Sequence, residues 1–239
     1  MNKILCVSET LPYECEINLI KMGFSLIKIP KCSYLEKPVS AHPDMFMATV
    51  GDKIFFDSRV KELFTFIGGS DFNKFVECER EVGENEFLTY PQNISFNCVN
   101  VGNKLLCNTR YTNKKILEYA QDCGIEILTV KQGYTKCSTC VVSDDAIITE
   151  DDSIALCAQQ NGIDVLKVQK GHIELCGYDY GFIGGCSGLI EKNLLAFAGN
   201  VFLHPDFEKI FDFCYRHSVG IVNLGTQKLY DVGSIIRIV

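Results

Sequence analysis

The sequence predicts one α/β domain made of about five copies of a strand, hairpin, strand, helix, strand unit, set in a ring as an α/β propeller closed by its two termini. Three observations predict it. Four segments run from an amphipathic helix through a glycine stop into an apolar strand; paired apolar runs joined by short polar turns precede such segments; and the turns recur almost periodically, after Val50, Val101, Val142 and Ile190, spaced 51, 41 and 48 residues apart.

Taken in order, KILCVSETLPYE opens the chain as half a unit, and EINLIKMGFSLIKI supplies its helix and a strand ending at Ile29. MATVGDKIFF follows as a hairpin turning at Gly51-Asp52-Lys53, because two β-rich runs flank a tight polar turn. The next stretch, DSRVKELFTFIGG, is helical in character but leads into no clear strand, so the second unit is expected to be irregular, with a surface excursion around residues 68–90. CVNVGNKLLC, turning at Gly102-Asn103-Lys104, introduces KKILEYAQDCGIEILTV, where Ile116, Leu117, Ala120 and Cys123 form a helical stripe. CVVSDDAIIT and DSIALCAQQNGIDVLKV repeat the pattern, as do SGLIEKNLLAF and EKIFDFCYRHSVGIVNL. Gly23, Gly124, Gly162 and Gly220 stand where the helices should end in a left-handed residue. LYDVGSIIRIV completes the unit that the first strand began, which leaves no unfinished edge. The whole of 1–239 therefore reads as a single domain.

Composition narrows the function. A net charge of −7 with no Lys/Arg cluster argues against a nucleic-acid partner, since phosphate neutralisation needs a basic stripe. The first apolar run is too short for a membrane span, so no membrane association is expected and the chain reads as cytoplasmic. Thirteen cysteines, many inside apolar runs (Cys6, Cys107, Cys123, Cys157, Cys214), fit reduced core thiols rather than a disulfide framework. Oligomeric state is not readable, and no cofactor is indicated.

HPDM (His42 to Met45), YGFIGGCSG (Tyr180 to Gly188) and DVGSII (Asp231 to Ile236), together with LIKIP and VGDKIFF, give the chain nearly full-length resemblance to the pentein, or guanidine-modifying-enzyme, superfamily. It is also similar to an uncharacterised bacterial family of that fold. The resemblance implies a five-unit α/β propeller and, in its enzymatic members, a nucleophilic Cys in the last strand, a His two units earlier and acidic residues that hold a guanidinium. Those residues do not carry over. The closing strand, Val232 to Val239, contains no Cys; Tyr134, Thr135 and Lys136 follow Gly133 where the His would stand; Met47, Ala48 and Thr49 replace an acidic pair; and Asn93 to Asn97 replace an acidic, Gly-rich segment.

In a ring of repeats the connectors ahead of the innermost strands gather at one mouth, which makes residues 41–45, 92–97, 133–140 and 172–187 the expected source of any site. Cys186, following Gly184 and Gly185, is the candidate nucleophile, with Ser187 and nearby backbone N–H groups as binding donors and His172 or His42 as base. His42 and Asp44 flank Pro43, and the triplet recurs at His204-Pro205-Asp206, where it reads as a helix start. Lys136 and Asn97 are candidate contacts to substrate, and Tyr178 with Asp179 would give an aromatic wall and a carboxylate suited to a cation. The CxxC of Cys137 and Cys140 lacks a second close pair, so no metal site is expected.

Two functions stay open. One is Cys-dependent hydrolysis or transfer on a small polar, guanidino or amino-acid-like molecule. The other is a propeller without catalysis that binds a small molecule or a partner.

Overall fold

A computed structural model of the chain describes residues 3–65, 73–80 and 86–238. It is a mixed α/β structure with five three-stranded sheets, and the sheets divide the chain as the repeat predicts. β3 (Met47–Val50), β4 (Lys53–Asp57) and β5 (Phe75–Cys78) form one; β6 (Val99–Val101), β7 (Lys104–Cys107) and β8 (Glu126–Thr129) the next. β9 (Thr139–Ser143), β10 (Ala146–Thr149) and β11 (Asp164–Lys167) follow, then β12 (Ser187–Glu191), β13 (Leu194–Phe197) and β14 (Gly220–Asn223). The fifth sheet joins the two ends of the chain, with β1 (Lys3–Ser8) between β2 (Phe24–Ile29) and β15 (Ile236–Arg237).

Each sheet obeys one rule: its central strand is antiparallel to one neighbour and parallel to the other. The antiparallel pair is a hairpin in four of them, and Gly51 and Gly102 turn two of these with φ of 56° and 54°. A parallel pair cannot be joined so tightly and needs a crossover. Four crossovers are the α-helices α1 (Tyr13–Lys21), α2 (Lys114–Asp122), α3 (Asp152–Gln160) and α4 (Phe207–Arg216). Asn113 and Asp151 cap α2 and α3 by accepting backbone N–H groups from the first turn. Each helix turns its apolar stripe inward: Ile116 and Ala120 of α2 and Ile210, Phe213 and Cys214 of α4 are buried.

Two departures from expectation are local. Ser218, not Gly220, is the left-handed residue after α4, with φ 58°, and Gly220 opens β14. A serine there pays the usual steric penalty of a Cβ at positive φ, which is why glycine was the natural choice from sequence. In the second unit the crossover is a 3-10 helix, Ser58–Phe64, capped by Asp57, and the strand that sequence did not reveal is β5. FVEC is short and only its Cys is buried, so it carries no clear alternation, yet it pairs in parallel with β4. The expected excursion thus contains a sheet strand at Phe75–Cys78, while its remaining parts at 68–72 and 81–85 lie outside the described residues.

The strands that start the four hairpins, together with β15, line one narrow cavity of about 160 Å³, contributed by Met47, Val99, Val141, Leu189 and Ile236 among others. The connectors leading into those same strands sit together beyond it. No helix among the described residues is long and apolar enough to cross a membrane.

Candidate functional site

The connector ahead of β3 is a 3-10 turn, Pro43–Met45, that Pro43 pre-sets by fixing φ. It buries His42 and Asp44, which are 2% and 0% exposed. The turn is pinned from the far end of the chain, since Asp44 N–H donates to Gly233 O at 3.2 Å. Gly233 is needed there on two grounds: its φ is 70°, and a Cβ would stand 2.1 Å from His42 Cβ.

Residues from the other connectors close around this turn. Cys137 donates its thiol proton to Asp44 Oδ2 at 3.0 Å, and Ser234 Oγ lies 2.8 Å from the same oxygen. Lys136 Nζ donates to Ser234 Oγ at 3.0 Å. Asn97 ties three units together, accepting from the backbone N–H of Lys136 at 2.7 Å and of Cys137 at 3.2 Å while its amide donates to Asp44 O at 3.3 Å. Asp231 completes the floor, 3.8 Å from His42 Nδ1, with its two oxygens accepting Phe182 N–H and Gly233 N–H at 2.9 Å each.

The electrostatics follow from burial. Desolvation, assisted by the Asp231 charge, holds the Asp44 carboxyl above the usual range despite His42 nearby. Burial pushes Asp231 up to about 6 against its two backbone hydrogen bonds, and it lowers His42 so that the neutral imidazole is favoured. Burial first, and then the two carboxylates, raises the Cys137 thiol well above its ordinary value. A thiol in that setting is a hydrogen-bond donor, not a ready nucleophile. Not every group is satisfied: His42 Nδ1 and Asp44 Oδ1 are buried without a hydrogen-bond partner.

Above this floor opens a pocket of about 280 Å³, lined by His42, Cys137 and Asp231 below and by Tyr134, Tyr178, Asp179, Tyr180 and Phe182 around it. Tyr178 O–H donates to Glu36, which fixes that wall from a separate loop.

Of the residues expected from sequence, His42, Asp44, Asn97 and Lys136 meet in the buried cluster, and Tyr178 and Asp179 line the pocket over it. Cys186 does not join them. It is fully buried in an apolar cluster with Cys140, Ile183, Phe197 and Leu229, its thiol donates to Ile183 O at 3.3 Å, and burial raises its pKa well above normal. Ser187 lines the narrow cavity and donates to Ile183 O at 2.7 Å. The N–H groups expected as oxyanion donors are spent on the protein's own carbonyls: Gly185 on Cys137, Cys186 on Phe182, Ser187 on Gly184. Gly184 and Gly185 do permit a close approach, but of protein groups, for a Cβ on Gly185 would lie 2.1 Å from Asp231 Oδ1. His172 is exposed and packs edge-on against His204, 5.5 Å away. His204 and Asp206 start α4 as expected.

Sequence reasoning passed over Asp231, Ser234 and the pocket role of Cys137. The signal for the first two was DVGS, an acid and a hydroxyl around a glycine just ahead of the last strand; for Cys137 it was its place in a connector rather than in a CxxC.

Five small sheets of this kind, with a polar cluster pooled from their connectors, make a mixed α/β structure similar to pentein folds. The chain belongs to the family described as "Family of unknown function (DUF6873)", whose pattern it matches over residues 6–236. Solved structures with the same fold include agmatine deiminase from C. jejuni with substrate bound, at 11% identity and TM-score 0.54, covering 99% of this chain and 93% of that one. DDAH from Pseudomonas aeruginosa, a mutant complexed with citrulline, matches at 8% identity and TM-score 0.53 over 95% and 93% of the two chains. An amidinotransferase from Microseira wollei in the saxitoxin biosynthetic pathway matches at 9% identity and TM-score 0.51 over 94% and 88%. No curated protein sequence matches the chain.

Proposed function

We propose that this protein is a five-unit ring of pentein type whose pocket binds a small guanidino or amino-acid-like cation, as a binding protein without thiol turnover. The observation that carries the reading is the aromatic pocket with a buried carboxylate at its base: Tyr134, Tyr178, Tyr180 and Phe182 above Asp231. Aromatic faces attract a cation, and a carboxylate in a low-dielectric site attracts it more strongly than one in water. Each Asp231 oxygen takes one backbone N–H and keeps a further lone pair for a ligand N–H. Support for the ring comes from the five strands that share the narrow cavity and from the pairing of both chain ends in one sheet. The fold is shared with proteins whose titles name agmatine deiminase, DDAH and an amidinotransferase, which makes guanidino compounds the first to try. All thirteen cysteines are free, which supports a reducing, cytoplasmic setting.

The test is thermal unfolding with agmatine, L-arginine and, as the uncharged isostere, citrulline. A cation at 100 times its Kd should raise Tm by about 5 °C or more. Citrulline should not, and Asp231→Asn should remove the shift. Equal responses to arginine and citrulline, or none to any guanidino compound or amine at millimolar concentration, would defeat the reading.

A second reading, Cys-dependent hydrolysis or transfer, draws on one observation: Cys137, not Cys186, lines the pocket beside His42. Burial is the main reason this thiol stays protonated, and a cation bound against Asp231 would offset the smaller part that the carboxylate charges add. Stoichiometric labelling of Cys137 by a haloacetamidine, faster than that of the exposed Cys123 and Cys176, would favour it over simple binding.

A further inference from the structure

The deepest part of the cluster has a composition that an organic cation does not explain. His42 offers an imidazole nitrogen, Asp44 a carboxylate oxygen and Cys137 a sulfur, and these three atoms all lie within 4.8 Å of one another. All three residues are buried, so none of this is a fortuitous surface grouping. Two atoms of the group, His42 Nδ1 and Asp44 Oδ1, are buried with no hydrogen-bond partner, Nδ1 lying 3.8 Å from Asp231 Oδ1. Buried polar atoms are ordinarily paired, and an orphan pair beside a thiol calls for a missing partner.

We propose that His42, Asp44 and Cys137 bind one zinc-class divalent cation, each through a single atom, with a fourth position open to the aromatic pocket. The donor set selects the class: one nitrogen, one oxygen and one sulfur suit a borderline-soft tetrahedral ion, and an all-oxygen ion such as magnesium or calcium gains nothing from sulfur. Zinc bonds of about 2.0 Å to nitrogen and about 2.3 Å to sulfur put tetrahedral ligand atoms about 3.5 Å apart. Cys137 Sγ and Asp44 Oδ2 stand at 3.0 Å and all three donor atoms lie within 4.8 Å of one another, on either side of that spacing, so the side chains need to adjust by about 1 Å to meet one ion.

Binding is a proton exchange. The Cys137 S–H bond breaks, its electron pair forms the metal–sulfur bond, and the proton now held toward Asp44 leaves to solvent. Ser234 Oγ, 2.8 Å from Asp44 Oδ2, stays as an outer support for the carboxylate, and Asn97 holds the backbone on either side of the sulfur through Lys136 N–H and Cys137 N–H. His42 and Cys137 also line the pocket, whereas Asp44 lies beneath it, so the open position points where a water or a ligand oxygen could enter. The three ligands are 95 positions apart at the widest, which hid them from a search for Cys/His spacing. This inference goes beyond the cation reading and is independent of it, because that reading uses Asp231 and the tyrosines.

Cobalt(II) titration of the reduced, chelator-treated full chain tests it. The wild type should saturate at one equivalent with a thiolate-to-cobalt charge-transfer band and tetrahedral d–d bands, and zinc should bleach both. Folded Cys137→Ser should lose the charge-transfer band and bind at least tenfold more weakly, Asp44→Asn should also weaken binding, and Cys176→Ser should behave as wild type. If Cys137→Ser does not fold, X-ray absorption of the zinc-loaded wild type serves instead, with one sulfur neighbour expected. No band at stoichiometric cobalt, a band that survives in folded Cys137→Ser, or two or more sulfurs around zinc would overturn the proposal. Thermal shifts with agmatine address the other reading, so either can fail alone.

Discussion

Two buried polar clusters sit on either side of Met45, and they are built to opposite rules. In one, Arg80 and Asp57, with side chains 2% and 1% exposed, pair at 2.5 Å. Arg80 also donates to the carbonyls of Gln92, Asn93 and Met45 and stacks on Phe96, while Asp57 caps the 3-10 helix through Arg59 N–H. In the other, His42, Asp44 and Cys137 share too few protons, and two of their atoms are left with no partner. A paired and surrounded ion pair holds elements in place; the second cluster keeps two buried polar atoms unsatisfied beneath a pocket.

Breaking the satisfied cluster should have the largest effect. Arg80→Ala leaves Asp57 charged and buried with three carbonyls unpaired, at a cost of about 3 to 5 kcal/mol in urea unfolding. A loss below about 1 kcal/mol would erase the contrast drawn between the two clusters.

Glu150 tests whether incompleteness itself destabilises. Neither of its buried carboxylate oxygens has a well-formed hydrogen bond, and burial, opposed only weakly by the nearby Ile183 backbone, raises its pKa to about 8. A raised carboxyl binds its proton more tightly folded than unfolded, so its stabilising contribution is present below about pH 4.5 and is lost as pH rises toward 8. Glu150→Gln should therefore stabilise the protein at pH 8 by up to about 4 kcal/mol and flatten the fall in stability across that window. Unchanged stability at both ends of the range would mean the carboxylate has found a partner.

The smallest effect sharpens the same contrast at the cluster of His42, Asp44 and Cys137. Asp44→Asn keeps the shape and removes a charge that burial already disfavours, so it should shift unfolding by about 1 kcal/mol or less. A cost as large as that of Arg80→Ala would make Asp44 a structural group like Asp57.

The hairpins at Val50, Val101, Val142 and Ile190 were legible because a polar turn between apolar runs is a local signal, and all four appear as expected. β5 was not legible, since a four-residue strand with one buried side chain is specified by its pairing with β4 rather than by its own pattern. The buried cluster was legible in part: of the residues that sequence named, His42, Asp44, Asn97 and Lys136 come together in it, whereas Cys186 lies apart and Cys137 takes its place beside Asp44. Both cysteines stand just ahead of a strand that opens a hairpin. Cys186 directly adjoins β12 and faces the apolar cluster, whereas Cys137 lies two residues before β9, where the chain still curves toward Asp44. Which way a side chain turns at such a bend depends on the packing of other units, and no local spacing encodes it.

His42 and Asp44, Asn97, Cys137, and Asp231 come from four different connectors, each anchored to its own small sheet. A substitution in one loop can therefore change one contributor to the cluster while the strands that carry the others keep their own pairings. Such modularity lets one scaffold trade a reaction for a ligand, or one ligand for another, without passing through an unfolded ancestor.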